Sequence, residues 1–149
     1  MLGAVDHRQR TAAMPDTGPS IVVVDDESAI LDLIVTQLQR AGYRTNTARD
    51  GVEALAVISA TSPRGVVLDV GMPNMDGFGV LRALRNDPKM AATPVLVLTA
   101  RNAVDDVQKA MALGARDFMT KPFDGPRLMA RVARLVRPRM DGARRMGAY

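Results

Sequence analysis

Four short apolar runs in this chain end on side chains that can do chemistry. SIVVVDDE closes on Asp25, Asp26 and Glu27, GVVLD on Asp69, PVLVLT on Thr99 and DFMTK on Lys121. In open α/β sheets, ligands bind in the crevice beyond the carboxyl ends of the strands, so such residues share one place however far apart they lie in sequence. Two carboxylates about 4 Å apart repel by roughly 4 kcal/mol at an effective dielectric near 20, and a cluster of them requires a cation. Lys121 can balance one charge. An all-oxygen set without His or Cys suits a hard ion, Mg²⁺ before Zn²⁺, and Mg²⁺ favours few protein carboxylates plus a phosphate. The chemistry this points to is phosphoryl transfer. Strand-end aspartates can also be helix N-caps, as Asp50 and Asp124 are expected to be. That reading explains one acid, but not an adjacent pair facing a third with a lysine opposite.

The elements that must position these residues follow from periodicity. The β-rich runs SIVVVD, YRTNTA, RGVVLD, TPVLVLT and RDFMTK alternate with segments of helical spacing. A first helix carries Ile30, Ile34 and Leu38 and closes at Gly42. A second opens on Asp50 with Glu53 three residues on, a capping box, and ends before Pro63. A third runs from about Phe78 to Arg85. A fourth places Val104, Val107 and Met111 on one face and stops at Gly114. A fifth starts near Asp124 with Pro126 in its first turn, buries Leu128, Val132 and Leu135, and runs to about Arg137 before Pro138. Five strands alternating with five helices predict an α/β fold, a doubly wound five-stranded parallel sheet covered on both faces. Periodicity does not give the strand order.

Composition narrows the class. At 149 residues, 47% hydrophobic and 24% charged, one domain is expected, over residues 20–137, between a disordered leader (1–19) and a basic tail (138–149). The only histidine, His7, falls in the leader and is expected to be a bystander. No apolar run approaches the ~18 residues that cross a bilayer, and the start lacks a secretory signal, so the chain is expected to be cytoplasmic with no membrane contact. Zero cysteines exclude disulfides and thiolate chemistry. The net charge of +4 is uneven: residues 20–123 hold 11 Lys+Arg against 12 Asp+Glu, and residues 124–149 hold 7 Arg against 2 Asp. With 3% aromatic residues and no Trp, little base-stacking equipment exists, and nucleic acid is not expected as a partner of this chain alone.

Together and in order, VVVDDE, VVLDVGMPNMDG, PVLVLTA and GARDFMTKPF resemble the response-regulator receiver domain of two-component signalling, over residues about 20 to 137. The resemblance implies a flavodoxin-like fold and a mechanism. Asp69 would be the phosphoacceptor, taking its phosphoryl group from a sensor histidine kinase or histidine phosphotransfer protein. Asp26, Asp69 and the carbonyl of Gly71 would bind Mg²⁺ directly, with Asp25 acting through a water. Lys121 would neutralise charge on the transferred group, Thr99 would donate its hydroxyl, and Phe118 would be the ring that turns inward behind it. Thr99 is also open to a capping role and Phe118 to a core role. Glu27 is open to a solvated or a functional role, and Arg101 to shielding the site or extending into solvent. A Lys121–Pro122 cis bond is implied by the family alone, and Pro73 and Gly77 are given a rigid turn and a close approach.

RDFMTKPF followed by LMAR is similar to receivers of winged-helix transcription factors, in which an acid at the place of Asp117 pairs across a dimer with an arginine at the place of Arg131. Arg116 and Arg127 stand where those receivers usually carry acids. The function expected is therefore that of a stand-alone phospho-accepting regulator. It would catalyse only its own phosphorylation and dephosphorylation, engage a downstream protein target through the fourth helix, fifth strand and fifth helix, and form a phosphorylation-promoted homodimer. The alternative is the receiver part of a winged-helix DNA-binding regulator. A Mg²⁺ phosphohydrolase using Asp69 and a DNA binder using the arginine tail are the competitors from other classes, and neither explains the whole constellation.

Overall fold

The computed structural model describes residues 17–72, 74–100 and 104–137. The readings placed on His7, Pro73, Arg101 and the tail lie outside these. Five strands, β1 (Ser20–Val24), β2 (Arg44–Ala48), β3 (Gly65–Asp69), β4 (Val95–Ala100) and β5 (Asp117–Lys121), alternate with five helices. The helices are α1 (Ser28–Arg40), α2 (Gly51–Thr61), α3 (Gly77–Asn86), α4 (Val104–Ala112) and α5 (Gly125–Leu135). None of the described helices is long and apolar enough to cross a membrane.

All strand pairs are parallel, in the order β2-β1-β3-β4-β5. The central strands are apolar without alternation because both faces are covered. Successive side chains still point to opposite faces. Val22, Val24, Val66, Leu68, Val95 and Val97 pack with Ala54 and Ile58 of α2 and with Val80, Leu81 and Leu84 of α3. Ile21, Val23, Val67, Leu96 and Leu98 pack with Leu31, Ile34 and Leu38 of α1 and with Leu128, Val132 and Leu135 of α5. Each fully buried aliphatic side chain contributes about 1.5–3 kcal/mol, and these two clusters hold the sheet rigid beneath its strand ends.

The helix ends match their sequence signals. Gly42 (φ 98°) and Gly114 (φ 101°) take the left-handed backbone that closes α1 and α4. Asp50, Asp76 and Asp124 each accept an N–H at the start of a helix. The α2 box is displaced by one residue, since Glu53 Oε1 accepts from the Arg49 N–H at 2.6 Å. α5 ends at Leu135. Two expected stripes are shifted. On α1 the buried residue is Leu31, while Ile30 is half-buried because it faces the open crevice at the strand ends. On α4, Val104 and Met111 are exposed; the helix meets the core through Ala110, and Leu113 just past its end packs beside it. An apolar period marks a stripe without saying that anything covers it.

Candidate functional site

The sheet builds its crevice where the strand order reverses. β1 lies between β2 and β3, so the chain moves one way from β1 and the other way from β3, and the loops leaving these two strands diverge. The β1–β3 register sets Val24 beside Leu68, which brings Asp25 and Asp26, just past β1, next to Asp69 at the end of β3. The β4–β5 register sets Thr99 beside Thr120 and Ala100 beside Lys121.

One carboxylate oxygen from each of Asp25, Asp26 and Asp69 falls within 4.8 Å of the others. Asp25 is fully buried. Its Oδ2 accepts from Lys121 Nζ at 2.8 Å and its Oδ1 from the Glu27 N–H at 3.0 Å. Asp69, 7% exposed, accepts from the Gly71 N–H at 3.2 Å and lies 3.6 Å from Lys121 Nζ. The exposed Glu27 is also 3.6 Å from that ammonium. Burial pushes the Asp69 carboxyl up, and repulsion from Asp25 and Asp26 adds to it; together they outweigh the Gly71 N–H and Lys121. Burial pulls the Lys121 ammonium down, but its hydrogen bond to Asp25 and the charges of Asp69, Asp25 and Glu27 leave it raised on balance. The cluster thus holds more negative charge than its lysine balances. Three oxygen donors of this kind, with no nitrogen or sulfur among them, fit a hard divalent cation.

Above the acids opens a cavity of about 660 Å³, lined by Asp26, Asp69, Gly71 and Lys121 with the apolar Leu33 and Phe123. The Lys121–Pro122 bond is cis. Thr99 is buried, with its hydroxyl 3.5 Å from the Met119 carbonyl, a long contact. It stands within β4 rather than at a helix start. Phe118 is 36% exposed and lies outside the core. Gly77 is a close approach, since a Cβ there would meet Val70 Cα at 2.6 Å and the Asp69 carbonyl oxygen at 2.7 Å. Away from the crevice, Arg131 Nη1 donates to Asp117 Oδ1 at 2.9 Å and to the Phe118 carbonyl at 2.9 Å, all within one chain.

Two contacts escaped sequence reasoning. Arg49 Nη2 donates to the Asp26 carbonyl at 2.9 Å, and Asn74 Nδ2 donates to Asp50 Oδ2 at 3.2 Å. The first depends on β2 lying beside β1 and the second on β3 lying on the other side of β1, which no local pattern encodes.

The sequence matches the response regulator receiver domain over residues 21–133. It is 40% identical over 119 residues to the DNA-binding dual master transcriptional regulator RpaA of Synechocystis sp., a match covering 80% of this chain and 49% of RpaA. The chain spans about half the length of the curated relatives it matches first. Among solved structures, the chemotaxis response regulator CheY4 of Vibrio cholerae is similar with a TM-score of 0.75 and 34% identity, over 80% of this chain and 99% of that one. The receiver domain of the sensor histidine kinase PA1611 of Pseudomonas aeruginosa, solved with a magnesium ion coordinated in its active site cleft, is similar with a TM-score of 0.74 and 25% identity, over 80% and 98%. With a family match over most of its length and this fold beneath it, the chain belongs to the response regulator receiver domain family.

Proposed function

We propose that this receiver accepts a phosphoryl group on Asp69 from the phosphohistidine of a sensor histidine kinase or histidine phosphotransfer protein. The observation that carries the reading is the meeting of Asp25, Asp26 and Asp69 around Lys121, with Nζ 2.8 Å from Asp25 and 3.6 Å from Asp69. Asp26, Asp69 and the Gly71 carbonyl would hold Mg²⁺ directly, and Asp25 would do so through a water. Bound there, Mg²⁺ supplies positive charge opposite the oxygens of the transferring group.

The protein's own residues do the rest. An Asp69 carboxylate oxygen attacks phosphorus, the new O–P bond forms as the N–P bond breaks, and the electron pair leaves on the imidazole, which takes a proton from solvent. Lys121 neutralises charge on the phosphoryl oxygens, the kind of stabilisation on which phosphoryl transfer mostly depends. The Thr99 hydroxyl, whose contact to the Met119 carbonyl is long, donates to the acyl phosphate. Phe118 turns inward behind it, and the face formed by α4, β5 and α5 changes shape for a downstream protein or a second copy of the chain. The chain acts in the cytoplasm and catalyses only its own phosphorylation and dephosphorylation.

Incubation with Mg²⁺ and acetyl phosphate tests the reading by intact mass. Gain of one phosphoryl group by wild type, absent in Asp69→Ala and without Mg²⁺, is the expected result. No gain, together with no binding of beryllofluoride, would overturn it.

The identity to RpaA favours a second reading of the output, in which this receiver governs a DNA-binding regulator. Binding of DNA that changes with Asp69 phosphorylation, in a protein containing both parts, would distinguish it from a receiver that acts through protein contacts.

A further inference from the structure

The helix α2 offers no ligand to the acid crevice, yet the three residues at its start reach both loops that do. Arg49 Nη2 donates to the main-chain carbonyl of Asp26 at 2.9 Å. Asp50 caps α2 with Oδ1, through the Glu53 N–H at 2.8 Å, and accepts from Asn74 with Oδ2 at 3.2 Å. The Gly51 N–H donates to the Met75 carbonyl at 3.0 Å, and a Cβ on Gly51 would collide with that same oxygen.

These contacts begin where the sheet stops holding the chain. The main-chain ladder is extended past β1 by the Asp25 N–H to the Ala48 carbonyl at 3.1 Å, and past β3 by the Val70 N–H to the Leu98 carbonyl at 3.2 Å. Asp26 and Gly71 each lie one residue beyond. Asn74 holds the left-handed backbone (φ 65°), which few residues other than Gly, Asn and Asp adopt readily, and so presents its amide to Asp50. One rigid helix start therefore grips the β1–α1 loop through Arg49 and the β3–α3 loop through Asp50 and Gly51.

We propose that Arg49 and the Asp50–Asn74 pair are positioning residues, a clamp that fixes the separation of the Asp26 and Gly71 loops and thereby sets the affinity of the crevice for Mg²⁺. The inference rests on the phosphoacceptor reading above. None of these side chains touches the reacting atoms. They act through the main chain of the two loops, as outer partners of metal ligands do elsewhere.

The test is Mg²⁺ titration of the full chain by calorimetry, beside thermal unfolding of the same samples without metal. Asn74→Gly removes the amide but keeps the left-handed backbone available, and Arg49→Ala removes the guanidinium. Each is expected to weaken Mg²⁺ binding by roughly tenfold, the scale of losses from outer partners. Arg49→Lys, which keeps a cationic donor on a long side chain, is expected to recover part of the loss. Ile58→Val, a core truncation on the same helix, is expected to lower Tm and leave Mg²⁺ affinity unchanged, which separates positioning from general loosening of α2. Wild-type affinity in both Asn74→Gly and Arg49→Ala would overturn the clamp while leaving the phosphoacceptor reading intact. A wild-type chain that binds no Mg²⁺ would overturn the metal reading and the clamp with it.

Discussion

Lys121 Nζ lies 2.8 Å from Asp25 Oδ2, although the two residues are 96 positions apart. The carboxylate is fully buried and the ammonium is its one charged partner within hydrogen-bonding distance among the described residues. Lys121→Ala is expected to destabilise the Mg²⁺-free protein by about 3 kcal/mol, because it leaves a buried charge unpaired. Urea unfolding with and without Mg²⁺ checks this, with a smaller loss expected when the metal is present. Phosphorylation by acetyl phosphate is expected to slow by roughly 10²-fold, the scale reported for removing one charge-stabilising donor.

The Asp69 carboxyl is held above its ordinary value of 3.8, first by burial and then by the charges of Asp25 and Asp26. Between the unfolded and folded values the native state binds more protons than the unfolded chain, so this group's contribution to stability falls as pH rises through that window. Asp69→Asn is therefore expected to stabilise the Mg²⁺-free protein at pH 7, with the gain disappearing below the unfolded value. Denaturation midpoints of both proteins across this range provide the measurement. A gain of the same size at acidic pH would show that proton linkage is not its source.

Gly77 begins α3 with its Cα against the Asp69–Val70 main chain. Gly77→Ala is expected to cost about 1–3 kcal/mol through overpacking, and to weaken phosphorylation as well, since the atoms displaced belong to the phosphoacceptor's own peptide. Equilibrium unfolding and the acetyl phosphate reaction, run on one preparation, would show both losses. A stable variant with full activity would contradict the close approach.

Asp117 and Arg131 form a partly exposed pair, worth about 0–1 kcal/mol to the monomer. Arg131→Ala is expected to leave monomer stability nearly unchanged and to abolish the proposed phosphorylation-promoted dimer, in which Asp117 and Arg131 exchange partners across the interface. Light scattering of beryllofluoride-treated samples reads this directly, and a wild type that stays monomeric would sink the dimer.

The strands were legible because runs such as Val22 to Val24 and Val95 to Leu98 have no polar face, which only a sheet covered on both sides accommodates. The caps at Asp50 and Asp124 and the closing turns at Gly42 and Gly114 were legible for local reasons, since each acts within a few residues of itself. The gathering of Asp25, Asp26, Asp69, Thr99 and Lys121 at one end of the sheet followed from strand direction alone. Strand order did not, and with it were lost Arg49 and Asn74, whose partners lie on other elements. The exposure of Val104 and Met111 was also hidden, because periodicity gives the phase of a stripe but not the reach of the neighbour meant to cover it.

The acids of the crevice come from the first and third strands in the chain, whereas their lysine comes from the fifth. As the polypeptide leaves the ribosome, the carboxylates are therefore complete well before their counter-charge exists. Docking of β5 at the sheet edge is what sets the Lys121 ammonium beside Asp25 and Asp69, so the one lysine of the site arrives with its last strand.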